Sequence, residues 1–187
     1  MKRSAAIVLA VAVVIQIVFE VSIFRSSAPG LAFWIRAVFT IGFLALLLRA
    51  DRWTWLAPAL RILIGLNFGM AVGDRFGLFG HYGSPNVSWG DFSHFVAYTR
   101  QVNSFLPAGF ALPLAVAATV VEIVLAIALI ARIAPRLACL GAALLLLTYT
   151  VAMTISFGFT SQLYYAVLEL CAGAWFLSTL AGGAAGS

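Results

Sequence analysis

Residues 110–131 read FALPLAVAATVVEIVLAIALIA, an uncharged run broken only by Glu122. At about 1.5 Å per residue a helix of this length covers about 30 Å, the thickness of a bilayer's hydrocarbon core. In lipid every backbone N–H and C=O has to be paired within the protein, so spanning structures are helices or closed barrels. Barrel strands are about half as long and alternate polar with apolar residues. This run does not alternate. Outward from it lie five more runs of the same kind, Ala5 to Phe24, Leu31 to Leu48, Trp53 to Val72, Leu137 to Phe157 and Leu163 to Leu180. The sequence therefore predicts an all-α membrane protein with six transmembrane helices. Composition agrees, because 64% of the 187 residues are hydrophobic and 9% charged, against about 45–50% and about 25% in soluble domains. So few charges cannot cover a water-soluble globule.

The organisation expected is one membrane domain over residues 1–187, with two N-terminal spans in 1–50, four further spans in 53–76 and 110–181, and an extracytoplasmic loop over 77–109. Lys2 and Arg3 before the first run also fit a signal peptide. A secretory apolar region, however, is usually about 7–15 residues long and ends at small residues. The first run is longer, carries Gln16 and Glu20, and is followed by Pro29 after Ser26, Ser27 and Ala28. It reads as a retained helix.

Orientation follows from the cations, because short loops rich in Lys and Arg stay in the cytoplasm. With both termini inside, the inner segments hold Lys2, Arg3, Arg49, Arg52, Arg132 and Arg136, against Arg25, Arg75 and Arg100 outside. The net charge of +5 then reflects topology and contact with anionic headgroups of the bilayer. No stripe of aromatic and basic residues resembles a nucleic-acid reader.

Between Gly73 and Pro107 lies the one sizeable stretch outside the hydrocarbon. A loop of this length is structured or functional more often than a plain connector. Its first half, rich in Gly, Ser, Pro and Asn, is built of turns. From Trp89 onward Phe92, Phe95, Val96, Val102, Phe105 and Leu106 recur at helical spacing, with Asp91 near the start, where it suits the helix dipole. This predicts an amphipathic outer-loop helix. It either lies at the headgroup level as an aromatic belt or roofs an outward pocket, with His81 and His94 at the mouth.

A charge at mid-bilayer costs at least about 2.5–3.5 kcal/mol on insertion scales, so each one faces the bundle interior, finds a partner or has a function. Glu20 and Arg36 both fall about 6–8 Å below the outer boundary by helix rise, a depth match that predicts a structural ion pair. Arg61, Asn67, Glu122 and Glu169 lie in the last four spans at overlapping heights. Asn67, Glu122 and Glu169 are expected to meet in one polar cluster, with Arg61 snorkelling or pairing with Glu122 from below. Glu122 is either a carboxyl that knits helices together or one that accepts protons or binds substrate. Gly65, Gly69 and Gly73 form a small-residue stripe suited to close helix packing.

Other chemistries lack residues. Cys139 and Cys171 differ in depth by about 10 Å by helix rise, beyond the reach of a disulfide, and no Cys-x-x-Cys occurs. No span carries a histidine for an axial haem ligand, and no His, Cys and carboxylate spacing suits a metal. No inverted repeat and no discontinuous helix is evident, which leaves transport without its usual marks.

From Arg61 onward the order of features resembles the DoxX-like family of small bacterial membrane proteins. The likeness rests on Arg61 through Gly65, Asn67, Phe68 and Gly69, on a helix ending at Gly73, Asp74, Arg75 and Phe76, and on an aromatic outer loop closing at Leu106 and Pro107. It continues through a central carboxylate in Val120, Val121, Glu122, Ile123 and Val124 and the basic hairpin Arg132, Pro135, Arg136. It spans residues 61–181. Arg75 stands where the family often has Lys, and the first two spans are extra to the family's four. The resemblance implies that the last four spans form a four-helix bundle in a bacterial inner membrane. It also implies a quinone-linked redox membrane subunit, similar to a subunit of thiosulfate:quinone oxidoreductase or a respiratory accessory. A bound quinone would sit among Asn67, Glu122, Glu169 and Arg75, with Arg61 and His94 near it, Glu122 handling the proton and a redox partner protein delivering electrons. Two other classes stay open: a non-enzymatic scaffold or assembly subunit of a membrane complex, and a small-molecule permease.

Overall fold

The computed structural model describes residues 2–24, 30–49 and 52–181. Arg25 and Pro29, used above for topology and processing, and the Gly/Ala tail beyond Ala181 lie outside the described residues. Within them the chain is helical, with α1 at Lys2–Phe24, α2 at Leu31–Arg49, α3 at Leu56–Arg75, α4 at Phe92–Val102, α5 at Ala111–Ile130, α6 at Pro135–Phe157, α7 at Phe159–Leu163 and α8 at Val167–Ala181. A short 3-10 turn, Ala108–Phe110, leads into α5. Helices α1, α2, α3, α5 and α6 are long and apolar enough to cross a membrane.

The sixth predicted span differs. Residues 163–180 are not one helix, because the chain breaks at Tyr164 to Ala166. Ala166 adopts φ 52, in the left-handed region, and α8 has 15 residues, about 22 Å of helix against the roughly 30 Å of a hydrocarbon core. The expectation of no discontinuous helix is thereby corrected. Apolar residues run on across the break, so hydropathy alone does not see it.

Local signals set the other ends. α3 closes with Leu78 N–H on Gly73 O and Gly77 N–H on Asp74 O, and Gly77 takes the φ of 73 that this closure requires. α6 starts at Pro135, whose missing N–H costs nothing in a first turn. α4 is capped at its start by Asp91, whose side chain accepts the His94 N–H, and at its end by Asn103. The amphipathic loop helix predicted from Trp89 is thus present, but shorter.

The interior is apolar, as in a soluble protein, but the outside is apolar too. α1 turns Ala5, Leu9, Ala12, Val13, Gln16 and Glu20 inward while Ile7, Val11, Val14 and Val18 stay exposed. This is the arrangement that suits a lipid surround. α6 packs most extensively on α8, and α3 on α5. Gly65 lies against Ala126, Leu129 and Ile130 of α5, and Gly173 of α8 lies directly on the Phe43 ring of α2. The Gly65, Gly69, Gly73 stripe is used only in part, because Gly69 faces open space and Gly73 meets Leu78 and Phe79 of the loop.

Candidate functional site

The carboxyl of Glu122 is the centre of the best-defined polar group. α5 carries it inward at 1% exposure, on the face that also buries Ala115 and Thr119. Its Oε2 lies 2.7 Å from Nη2 of Arg75, with the two side chains 2% and 3% exposed. The Tyr149 hydroxyl of α6 donates to Oε1 at 2.6 Å. Arg75 Nη1 donates to Thr119 Oγ1 at 3.0 Å, and the Thr119 hydroxyl donates in turn to Ala115 O at 2.8 Å. Three helices therefore meet on one carboxylate. Arg75 Nε, also buried, has no hydrogen-bond partner among the described residues.

The long loop forms the roof. The Arg75 guanidinium lies 3.7 Å from the Phe95 ring centroid and 5.2 Å from that of Trp89, so aromatic faces supply the attraction that water would give an exposed cation. Asp74, next in chain to Arg75, accepts the backbone N–H groups of Ser88 and Trp89 at 3.0 and 2.9 Å. That ties the loop to the end of α3. At the other end of α4, Ser156 of α6 donates to Val102 O at 2.6 Å, and Tyr98 packs near Phe157 with centroids 6.2 Å apart. Burial, with Tyr165 adding to it, pushes the Tyr98 phenol up from its ordinary range. The loop helix covers Arg75 through Phe95, but His81 and His94, foreseen at the mouth of a roofed pocket, lie elsewhere.

Sequence-predicted residues divide between places. Arg75 and Glu122 come together. Arg61 does not join them: it is buried, its electrostatic neighbours are Arg132 and Cys139, and its Nε and Nη2 lack hydrogen-bond partners among the described residues. Glu122 pairs with Arg75 at the loop end of α3, so the pairing with Arg61 is replaced. Asn67 is half-buried and contributes no hydrogen bond to the Glu122 group. His94 stacks on Tyr82 with centroids 3.9 Å apart and holds Asp91 Oδ2 at 2.6 Å, on the exposed side of α4. His81 pairs with Ser84. Neither histidine lines the site.

Glu169 belongs to a second group, with different partners. Its Oε2 accepts the Thr40 hydroxyl at 2.9 Å. Nearby, Arg36 grips Glu20 through Nε at 2.5 Å and Nη2 at 3.1 Å, which is the ion pair anticipated from depth. The single shared cluster is thus two clusters, one among α3, α5, α6 and the loop, the other among α1, α2 and the α7–α8 break.

Sequence reasoning missed Tyr149, Thr119, Trp89 and Phe95 as partners of the site. Tyr149 had one available signal, a phenol between Thr148 and Thr150 in an apolar run. Both thiols are free, Cys139 buried and Cys171 partly so. Among the described residues no three His, Cys, Asp or Glu side chains gather as a metal set. A groove of about 870 Å³ runs along α4 and the start of α5, lined by Ser93, Ala97, Arg100, Ser104 and Leu112 among others, and includes none of the Arg75, Glu122 and Tyr149 group. The chain matches no protein-family model, no curated protein and no solved structure.

Proposed function

We propose that the chain is a quinone-linked redox membrane subunit of the DoxX-like type, with Arg75, Glu122 and Tyr149 as its headgroup site beneath the α4 roof. In this reading α3, α5, α6 and the α7–α8 pair are the four-helix bundle. The α7–α8 pair makes the sixth crossing, and both termini face the cytoplasm of a bacterial inner membrane. The observation that carries it is the buried Glu122 carboxyl, which holds a guanidinium on one oxygen and a phenol on the other while Arg75 keeps an unpartnered N–H.

That donor is the test of fit. A quinone carbonyl is an acceptor with no proton of its own, and the Arg75 Nε–H is a buried donor in need of one. Phe95 offers a ring face beside it, with Trp89 set edge-on to Phe95 at 72°. When bound, a quinone supplies the capacity to take up two electrons, delivered by a partner protein, together with two protons. The chain's part is to orient the ring by Arg75 and to hold a proton between Tyr149 Oη and Glu122 Oε1. The roof excludes water, which strengthens each of these contacts.

The experiment is photolabelling of the purified protein in lipid nanodiscs with an azido-quinone. Labelling at α4 or α5, competed by unlabelled quinone and reduced at least tenfold in Glu122→Gln and Tyr149→Phe, supports the reading. Equal labelling of wild type and both variants refutes it. A second reading, a scaffold subunit, is favoured by one observation: both Glu122 oxygens are already engaged by this chain. It predicts that the same variants lower stability and partner assembly and leave quinone labelling untouched.

A further inference from the structure

We propose that the break between α7 and α8 is a binding site for one monovalent cation, a proton or an alkali ion, seated on Glu169. This site is separate from the Arg75 and Glu122 group and does not depend on the quinone reading.

The charge count leads to it. Around the break, α1 brings Glu20 and α2 brings Arg36. Arg36 spends Nε and Nη2 on Glu20 and Nη1 on the carbonyl of Tyr164 at 3.0 Å. All three of its nitrogens are committed, and the Glu20 charge is matched. Glu169, 0% exposed, is left with one neutral donor, Thr40 Oγ1 on Oε2. Of the other elements packed on α8, α3 carries Arg61, Asp74 and Arg75, and α6 carries Arg136, Cys139 and Tyr149. Asp74 and Arg75 have the loop, Thr119 and Glu122 as partners, and Tyr149 has Glu122. Arg61 and Cys139 neighbour each other, Arg136 is exposed, and α7 holds no titratable side chain. An ionised carboxylate so enclosed would carry an unmatched charge, which a low-dielectric site does not tolerate.

The free atoms point the same way. Glu169 Oε1 and Gln16 Oε1 are buried and lack hydrogen-bond partners among the described residues. Both residues are 0% exposed. Gln16 uses its amide nitrogen on Glu20 at 2.8 Å and on Leu163 O at 3.1 Å, which fixes its oxygen as the spare group. Gln162 accepts the Leu168 N–H at 3.1 Å, and its own Nε2 is unpartnered, a donor suited to a water on the ion. The unpartnered Glu169 Oε1 is the seat for the cation or proton, and the spare Gln16 oxygen belongs to the same group of α1, α2 and the break, through Leu163 O and Glu20.

The test uses full-length protein in nanodiscs and has two arms. In one, equilibrium binding of sodium-22 is followed by scintillation proximity. In the other, infrared difference spectra between acid and alkaline buffer follow the C=O stretch of a protonated carboxyl. An alkali site gives saturable sodium binding that Glu169→Gln abolishes and Gln16→Met weakens at least tenfold. A proton site gives a carboxyl band at neutral pH that Glu169→Gln removes and Gln16→Met shifts in frequency. If Glu169→Gln fails to fold, the wild-type signals and Gln16→Met carry the decision. No sodium binding together with no protonated-carboxyl band at neutral pH overturns the proposal, as does either signal surviving intact in Glu169→Gln.

Discussion

Replacing Glu122 by Leu leaves the Arg75 guanidinium in a site where its side chain is 3% exposed, with one hydroxyl, Thr119 Oγ1, and two ring faces for company. Removing one member of a buried pair costs about 3–5 kcal/mol, because the other charge stays desolvated. Arg75→Met does the mirror-image damage, leaving Glu122 with Tyr149 alone and losing the contacts to Phe95 and Trp89. The double variant, Arg75→Met with Glu122→Leu, removes both charges and keeps the volumes. Its remaining cost is the Tyr149 hydroxyl, which loses its acceptor, about 1–3 kcal/mol. The two single losses therefore do not add: the double variant is expected within about 3 kcal/mol of wild type rather than the roughly 6–10 kcal/mol of a sum. Reversible unfolding in mixed dodecylmaltoside and SDS micelles, followed by circular dichroism, measures all four corners of the cycle. A loss under about 1 kcal/mol in Glu122→Leu, or strict additivity, would show that Arg75 escapes to water by snorkelling and that the pair is not sealed by the roof.

Two further outcomes follow from other contacts. Gly173→Ala puts a methyl group on the Phe43 ring, an overpacking expected to cost about 1–3 kcal/mol; the same micelle unfolding should show recovery when Phe43→Leu is added, and no loss in Gly173→Ala would mean that α2 and α8 are not this close. At Asp91, the Ser93 hydroxyl, then the His94 backbone N–H and the His94 ring hold the carboxyl below its ordinary range. A lowered folded value means that the cap's contribution is complete above the unfolded value of about 3.9 and is lost as pH falls from there through the folded one. Asp91→Ala should raise amide exchange at residues 93–95 several-fold at pH 7, and that ratio should shrink toward one under acid; a ratio independent of pH would assign the effect to something other than the carboxylate.

The long helices were legible because lipid leaves the backbone few choices, so a run such as Leu31 to Leu48 can only be one thing. Depth arithmetic also found the Glu20 and Arg36 pair, since both residues sit near ends whose position the runs define. It failed for Glu122 because Arg75 lies at the end of its helix and was counted as outside. The α5 helix begins beyond the point where α3 ends, and the Arg75 side chain reaches back along it to Thr119 and Glu122. Which of several carboxyls shares a face with which base depends on helix rotation, and hydropathy carries little of that. The break before α8 was hidden for a related reason. Its left-handed residue is Ala166 rather than Gly, and Tyr164 and Tyr165 keep the segment apolar. The visible hints were Gly158 and Gln162, on the approach to the break and not at it.

That break also draws on the first two helices. Interrupting a helix in hydrocarbon frees carbonyls that nothing in lipid can satisfy. Here Leu163 O is taken by Gln16 and Tyr164 O by Arg36, while Thr40 supplies Glu169. Every one of those donors comes from α1 or α2. Arg36 can serve there only because Glu20 neutralises it, and Glu20 is held in turn by Gln16. The polar residues on the inner faces of α1 and α2 thus form one chain of dependence that ends at the α7–α8 break. The break meets part of its own need, with the Ala166 N–H on Leu163 O and the Leu168 N–H on Gln162 Oε1; an apolar pair in place of α1 and α2 would leave Tyr164 O without its Arg36 donor and Leu163 O without its second one.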